Sequence, residues 1–131
     1  MAKRKDTLLI EEALRKKTRE DRIYGCEEVT IGFYNSGHGN EIVDFMTMDS
    51  KGIIKCYEIK VTIEDFKSKA AKSFYGDYNY FVMPAVLAEK VLKEELVPDG
   101  IGVLAFKGDS EYSWFEVIKK PRRKKDVPSE M

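Results

Sequence analysis

The sequence predicts a mixed α/β domain, and three observations carry that prediction. Residues 28–33, 41–48 and 53–61 read as three successive strands, apolar runs in which side chains take alternate faces of a sheet. Asp49-Ser50-Lys51-Gly52 stands between the second and third runs with the composition of a hairpin turn. From residue 62 onward, helical patterns alternate with short apolar runs, the order that builds helix crossovers between strands. The expected order is α-β-β-β-α-β-α-β-β: an antiparallel meander, then crossovers, in a mixed sheet with helices on its faces.

Residues 7–19 predict the first helix, with Thr7 placed to cap it and Leu9, Ile10, Ala13 and Leu14 on its apolar face. Glu11 and Glu12 flank that face on either side, so periodicity leaves open which of them leans toward the sheet. Tyr24-Gly25 reads as a turn. In the first strand, Val29, Ile31 and Phe33 share one face and Glu28 and Thr30 the other. Residues 35–40 form a loop by composition, and the lone histidine, His38, sits there between glycines.

The next two strands can pair with Asp44 opposite Glu58, Met46 opposite Cys56 and Met48 opposite Ile54, which requires a five-residue loop, 49–53. A four-residue turn would instead oppose Asp44 to Tyr57. Thr62 is placed to cap a helix over 62–73, with Ile63, Phe66 and Ala70 toward the core and Lys67, Lys69 and Lys72 as a basic set. Asp77 to Met83 is an aromatic-rich strand stopped by Pro84. Residues 85–95 form a helix, 101–106 a buried strand and 112–118 a final strand at an edge.

The 131 residues suit a single domain, 1–118, followed by a basic C-terminal tail, 119–131, expected to be flexible, with six Lys or Arg in positions 119–125. The 23 basic and 23 acidic residues cancel, which argues against nucleic-acid binding driven by the global field. No apolar run approaches the roughly 20 residues of a membrane span, and the charged N-terminus has no apolar segment behind it. A cytoplasmic protein without membrane contact is the default expectation. Cys26 and Cys56 lack metal-site spacing and are expected as buried free thiols.

Chemistry concentrates in Cys56-Tyr57-Glu58-Ile59-Lys60-Val61. Glu58 and Lys60 share a strand face, with Ile59 on the other side, and an acid and a base within an apolar run cost desolvation. Asp44 stands in a second apolar run, thirteen residues before Glu58 in the intervening count. Two carboxylates on adjacent strands, Asp44 and Glu58, with the main-chain carbonyl of Ile59, form a hard-oxygen set suited to Mg2+ or Mn2+. Lys60 can then orient an attacking water or stabilise charge on the phosphorane. A further acid, Glu28 or Glu11, can hold a metal-bound water or a second ion. Lys67, Lys69 and Lys72, followed by Tyr75, Tyr78 and Tyr80, can hold a phosphate backbone and stack an unpaired base. The plainer alternative is an exposed or buried ion pair at E-x-K, a solvated lysine face and tyrosines in the core.

The chain resembles the PD-(D/E)XK nuclease superfamily, and within it the small MmcB-like DNA-repair and phage proteins. The resemblance spans about residues 26–106 and rests on Glu28-Val29-Thr30-Ile31, Val43-Asp44-Phe45, Tyr57-Glu58-Ile59-Lys60, Asp65-Phe66 with Lys72 and Tyr75, and Asp77 through Pro84. The superfamily's metal-binding aspartate falls on Asp44, its glutamate on Glu58 and its lysine on Lys60. The proline before that aspartate is replaced here by Val43. The helix glutamate of many members falls on Glu11 or Glu12. The resemblance implies a restriction-endonuclease-like αβββαβ core, dependence on Mg2+ or Mn2+, and DNA as substrate. Related nucleases often pair, so a homodimer is a further expectation. The alternative function is a catalytically weak DNA-binding or regulatory module of the same fold.

Overall fold

The computed structural model describes residues 4–31, 41–67, 74–108 and 112–124, with residues 30, 31 and 41 described by backbone only. The elements follow the expected order: α1 (Lys5–Glu20), β1 (Tyr24–Ile31), β2 (Glu41–Met48), β3 (Ile54–Ile59), α2 (Ile63–Phe66), β4 (Tyr78–Pro84), α3 (Ala85–Lys93), β5 (Gly102–Gly108) and β6 (Ser113–Lys119).

Helix α1 starts two residues before the expected position, so Arg4, not Thr7, is its N-cap, and Asp6 lies in the first turn where an acid suits the helix dipole. It closes with Arg22 in the left-handed region at φ 58°. The Arg22 N–H donates to Arg19 O at 3.1 Å and the Ile23 N–H to Thr18 O at 3.1 Å, a Schellman closure that turns the chain straight into β1. Tyr24 and Gly25 are therefore the first residues of β1 and not a turn. Gly25 serves a close approach: a Cβ there would stand 2.8 Å from Thr18 Cγ2 and 3.1 Å from the Phe45 ring.

The six strands lie in chain order across one sheet. The β1–β2, β2–β3 and β5–β6 pairs are antiparallel, while β3–β4 and β4–β5 are parallel. The β2–β3 register is the one that a five-residue loop requires, with Met46 beside Cys56 and Met48 beside Ile54. Asp49 builds that loop, its Oδ1 accepting from the Lys51 N–H at 2.8 Å and the Ile53 N–H at 3.0 Å.

Alternation along the strands divides the core between two faces. On one, Ile10, Ala13 and Leu14 of α1 pack against Phe45, Ile59, Val82, Leu104 and Phe106. On the other, Leu87, Ala88 and Val91 of α3 pack against Phe81, Met83, Val103 and Ala105, with Ile63 and Phe66 of α2 beside them. Each of these side chains larger than alanine contributes roughly 1.5–3 kcal/mol by leaving water. Tyr80 belongs to the α1 side, where it stacks on Tyr57 with ring centroids 5.1 Å apart. That packing takes it away from the base-stacking role the sequence suggested. Cys56 is buried as expected but Cys26 is exposed, because β1 is an edge strand.

Of the helix expected over 62–73, Ile63–Phe66 is seen, capped by Thr62, whose Oγ1 accepts from the Asp65 N–H at 3.0 Å. Lys69, Lys72, His38 and Phe33 lie outside the described residues. The basic tail expected from residue 119 is hydrogen-bonded onto the domain as far as Lys124. The Arg122 N–H donates to Gly100 O at 3.0 Å, the Lys124 N–H to Asp77 O at 2.8 Å, and Arg122 pairs with Asp99 at 2.6 Å.

Two outcomes follow from this packing. Gly25→Ala loses about 1–3 kcal/mol in urea unfolding, because Thr18 or Phe45 has to give way. Burial pushes the Tyr57 phenol from its ordinary value of 10 up to about 12. The unfolded chain ionises first, so this contribution to stability is full below pH 10 and is lost as pH rises toward about 12. Tyr57→Phe shifts alkaline unfolding to higher pH, as followed by circular dichroism.

Candidate active site

Strands β2 and β3 part company at one point. Their main-chain pairing runs from Met48–Ile54 to Phe45–Tyr57 and stops there, although β2 continues back to Glu41 and β3 forward to Ile59. At the fork, Asp44 Oδ2 accepts the Ile59 N–H at 2.8 Å, a side chain standing in for the next ladder carbonyl. One step beyond the last pair, Asp44 and Glu58 are the residues that the same register would oppose.

The fork opens a cleft of about 320 Å³ bordered by Thr7, Glu11, Glu28, Ile42, Asp44, Ile59, Lys60 and Asp65. Its walls come from both sides of the sheet, with Thr7 and Glu11 on α1 and Asp65 on α2. Glu11 is 3% exposed and faces this cleft. Glu12 is exposed and held by Arg15 at 2.6 Å, and the Arg15 hydrogen bond and charge keep its carboxyl below the usual range. Anchoring Ile10 and Leu14 in the core rotates α1 so that Glu11, of the two, points inward.

Lys60 is 8% exposed. Its N–H continues the parallel pairing by donating to Val82 O at 3.0 Å, and its Nζ lies 3.7 Å from Asp65 Oδ1. Asp65 borders the cleft, although the sequence carries it only within Asp65-Phe66 and gives it no role. The available signal was its place three residues past the Thr62 cap, on the helix that follows β3. Glu58 is 4% exposed, stands beside Phe81, and is not one of the residues that border the cleft. It takes part in other polar contacts, while its buried Oε2 accepts no hydrogen bond among the described residues.

Glu28 borders the cleft with an unusual backbone, φ 50°, in the left-handed region. Its neighbours Glu27 and Val29 pair with Phe45 and Val43, which puts Glu28 across from Asp44 in mid-strand. For a residue with a Cβ that conformation costs about 1–2 kcal/mol, and such outliers gather at functional sites.

The acids and the Ile59 carbonyl are hard oxygen donors, the right chemistry for a Mg2+ or Mn2+ ion that keeps several of its own waters. Among the described residues, no group of three or more His, Cys, Asp or Glu is already drawn together to hold a metal ion. Asp44 and Glu58 with the Ile59 carbonyl are the smaller set that the donor chemistry fits. Of the residues expected to meet DNA, Lys67 is exposed at the end of α2, and Tyr75 is half-buried with Lys124 Nζ 6.0 Å from its ring centroid.

No family model matches the chain, and no curated protein matches it. Among solved structures it is similar to the SPO1766 protein of unknown function from Silicibacter pomeroyi. The TM-score is 0.63 at 21% identity, over 90% of this chain and 73% of that one. At that identity the likeness speaks for the fold alone: a mixed α/β domain whose six-stranded sheet is flanked by helices. Among the described residues no helix is long and apolar enough to cross a membrane.

Replacing Glu28 with glycine tests the strain. Glu28→Gly removes the left-handed penalty of about 1–2 kcal/mol and adds about 0.5–1 kcal/mol of chain entropy to the unfolded state. The variant is therefore more stable by roughly 0.5–1 kcal/mol in urea unfolding. A less stable variant would show that the Glu28 side chain outweighs its backbone strain.

Proposed function

We propose that the chain is a metal-dependent nuclease of the PD-(D/E)XK kind that hydrolyses DNA phosphodiester bonds in the cleft at the β2–β3 fork. The observation that carries this reading is the convergence of Asp44, Lys60 and Glu11, from three separate elements, on one cleft beside the buried Glu58. The α-β-β-β-α-β order supports it, being that of the restriction-endonuclease-like core.

Each residue has a role that follows from its surroundings. Asp44 is oriented by the Ile59 N–H, which holds one oxygen and presents the carboxylate at the fork. Asp44, Glu58 and the Ile59 carbonyl would hold Mg2+ or Mn2+, which when bound neutralises phosphate charge and makes water a better nucleophile. Lys60, nearly buried and steered by Asp65, orients the attacking water or stabilises negative charge on the phosphorane. Glu11 and Glu28 are placed to accept hydrogen bonds from water in the cleft. Lys67, exposed at the end of α2, would meet the DNA backbone, with Lys69 and Lys72 following it in the sequence, whereas Tyr75 stands before β4 at the far end of the sheet and would not share that contact. A second copy of the chain would supply the site for the opposite strand.

The reading is tested with single-stranded, double-stranded, nicked and branched DNA in the presence of Mg2+ or Mn2+. Asp44→Ala and Lys60→Ala each lower the cleavage rate by roughly a hundredfold or more, and Glu11→Gln by less. Calorimetry shows Mn2+ binding that disappears in Glu58→Ala. Cleavage that survives both Asp44→Ala and Lys60→Ala sinks the assignment.

A further inference from the structure

Beyond β6 the chain takes no regular structure, yet residues 119–124 lie across the ends where β5 and β4 begin. Lys119 Nζ donates to Pro98 O at 2.8 Å. Pro121 passes so near Gly102, the first residue of β5, that a Cβ there would stand 2.9 Å from its Cδ. The Arg122 guanidinium donates to Asp99 Oδ2 at 2.6 Å, and its main-chain N–H to Gly100 O at 3.0 Å. Arg123 reaches Asp77 Oδ1 at 3.3 Å, and Lys124 Nζ donates to Phe74 O at 2.9 Å. Four cations of the segment are thus held by acceptors of the domain.

The last of these anchors falls on the corner that starts β3. Asp77 gives its two carboxylate oxygens to different partners: Oδ2 accepts the Ile54 N–H at 2.8 Å, and Oδ1 faces Arg123. Its carbonyl accepts the Lys124 N–H at 2.8 Å. One residue therefore holds both the segment and the first residue of β3. From Ile54 the strand runs on to Ile59, whose N–H Asp44 accepts at the fork, roughly 17 Å away.

The hold is weak enough to be reversible. Arg122 and Arg123 are exposed, and the side chains of the Arg122–Asp99 pair are 68% and 86% open to water. Exposed ion pairs contribute little and weaken as salt screens them. Ordering the segment costs conformational entropy that a few hydrogen bonds only just offset. Docked and released forms are therefore close in free energy, and ionic strength tips the balance. We propose that residues 119–124 are an ion-sensitive strap. Docked, it clamps the Asp77 corner and stiffens β3 as far as the fork; released, it lets both loosen. The strap uses no step of hydrolysis and operates whether or not the cleft cuts DNA.

Trypsin reads the docking, because the bonds after Arg122, Arg123 and Lys124 are open to it in the released form and cleavage follows the population of that form. Between about 20 mM and about 500 mM NaCl, cleavage of the full chain there accelerates about fivefold relative to a free peptide of residues 117–131. Asp99 lies in the turn before β5, so an effect of Asp99→Asn at Ile54 travels through the strap. In low salt Asp99→Asn accelerates cleavage about threefold, and Asp99→Glu leaves it near the wild-type rate. Amide exchange followed by NMR speeds up about twofold to threefold at Ile54 in Asp99→Asn, Ile59 follows it, and the α1 amides keep their rates. Cleavage that ignores salt, or Ile54 exchange that stays at the wild-type rate in Asp99→Asn, overturns the strap. Faster exchange at Ile54 that leaves Ile59 unchanged overturns its reach to the fork, and acceleration shared equally by the α1 amides overturns it as a local clamp.

Discussion

Asp44 takes the Ile59 N–H through Oδ2 at 2.8 Å where the main-chain pairing of β2 and β3 ends, and the arrangement around it depends on that substitution. A continuous ladder would close the sheet there and keep its two faces apart. Because a side chain satisfies the donor instead, the strands separate without leaving an N–H unpaired. Glu11 from the α1 side and Asp65 from the α2 side then border the same space. The hydrogen bond that opens the cleft also orients the carboxylate at its centre.

The remaining architecture keeps that fork in register. Asp77, just before β4, accepts the Ile54 N–H through Oδ2 at 2.8 Å at the start of β3, and its carbonyl takes the Lys124 N–H at 2.8 Å. Asn79 closes the same corner with a pair of hydrogen bonds to Gly76, at 2.9 and 3.0 Å. A Cβ on Gly76 would stand 2.7 Å from Tyr78 O and 2.9 Å from Ile54 O, so the chain passes there only as glycine. These contacts fix where β3 begins, and its pairing with β4 carries that register forward to Glu58 and Ile59.

The site is costly in free energy. Glu58 and Lys60 are almost wholly buried, and taking two ionisable groups out of water costs several kcal/mol each before partners offset it. Glu28 adds backbone strain across from Asp44. The cores on the two faces absorb that cost: Ile10, Val82, Met83, Val91 and Val103 are completely buried. A domain selected for stability alone would replace these groups with apolar ones.

Much of this was legible in the residues. Alternation in a strand has a period of two, so Glu58 and Lys60 had to share a face and Ile59 the other, and the five-residue loop set Met46 beside Cys56. The order of elements followed from local patterns in the same way. Tertiary packing decided what periodicity leaves free. It rotated α1 to bury Glu11 in preference to Glu12, and drew Tyr24 and Gly25 into β1 beneath Thr18 and Phe45. It also put Tyr80 on Tyr57, left Cys26 at an open edge, and brought Asp65 to Lys60. A repeat within one element determines the relative phase of its side chains. Which neighbour each phase meets is set by how the elements pack, and that information is spread over residues far apart in the chain.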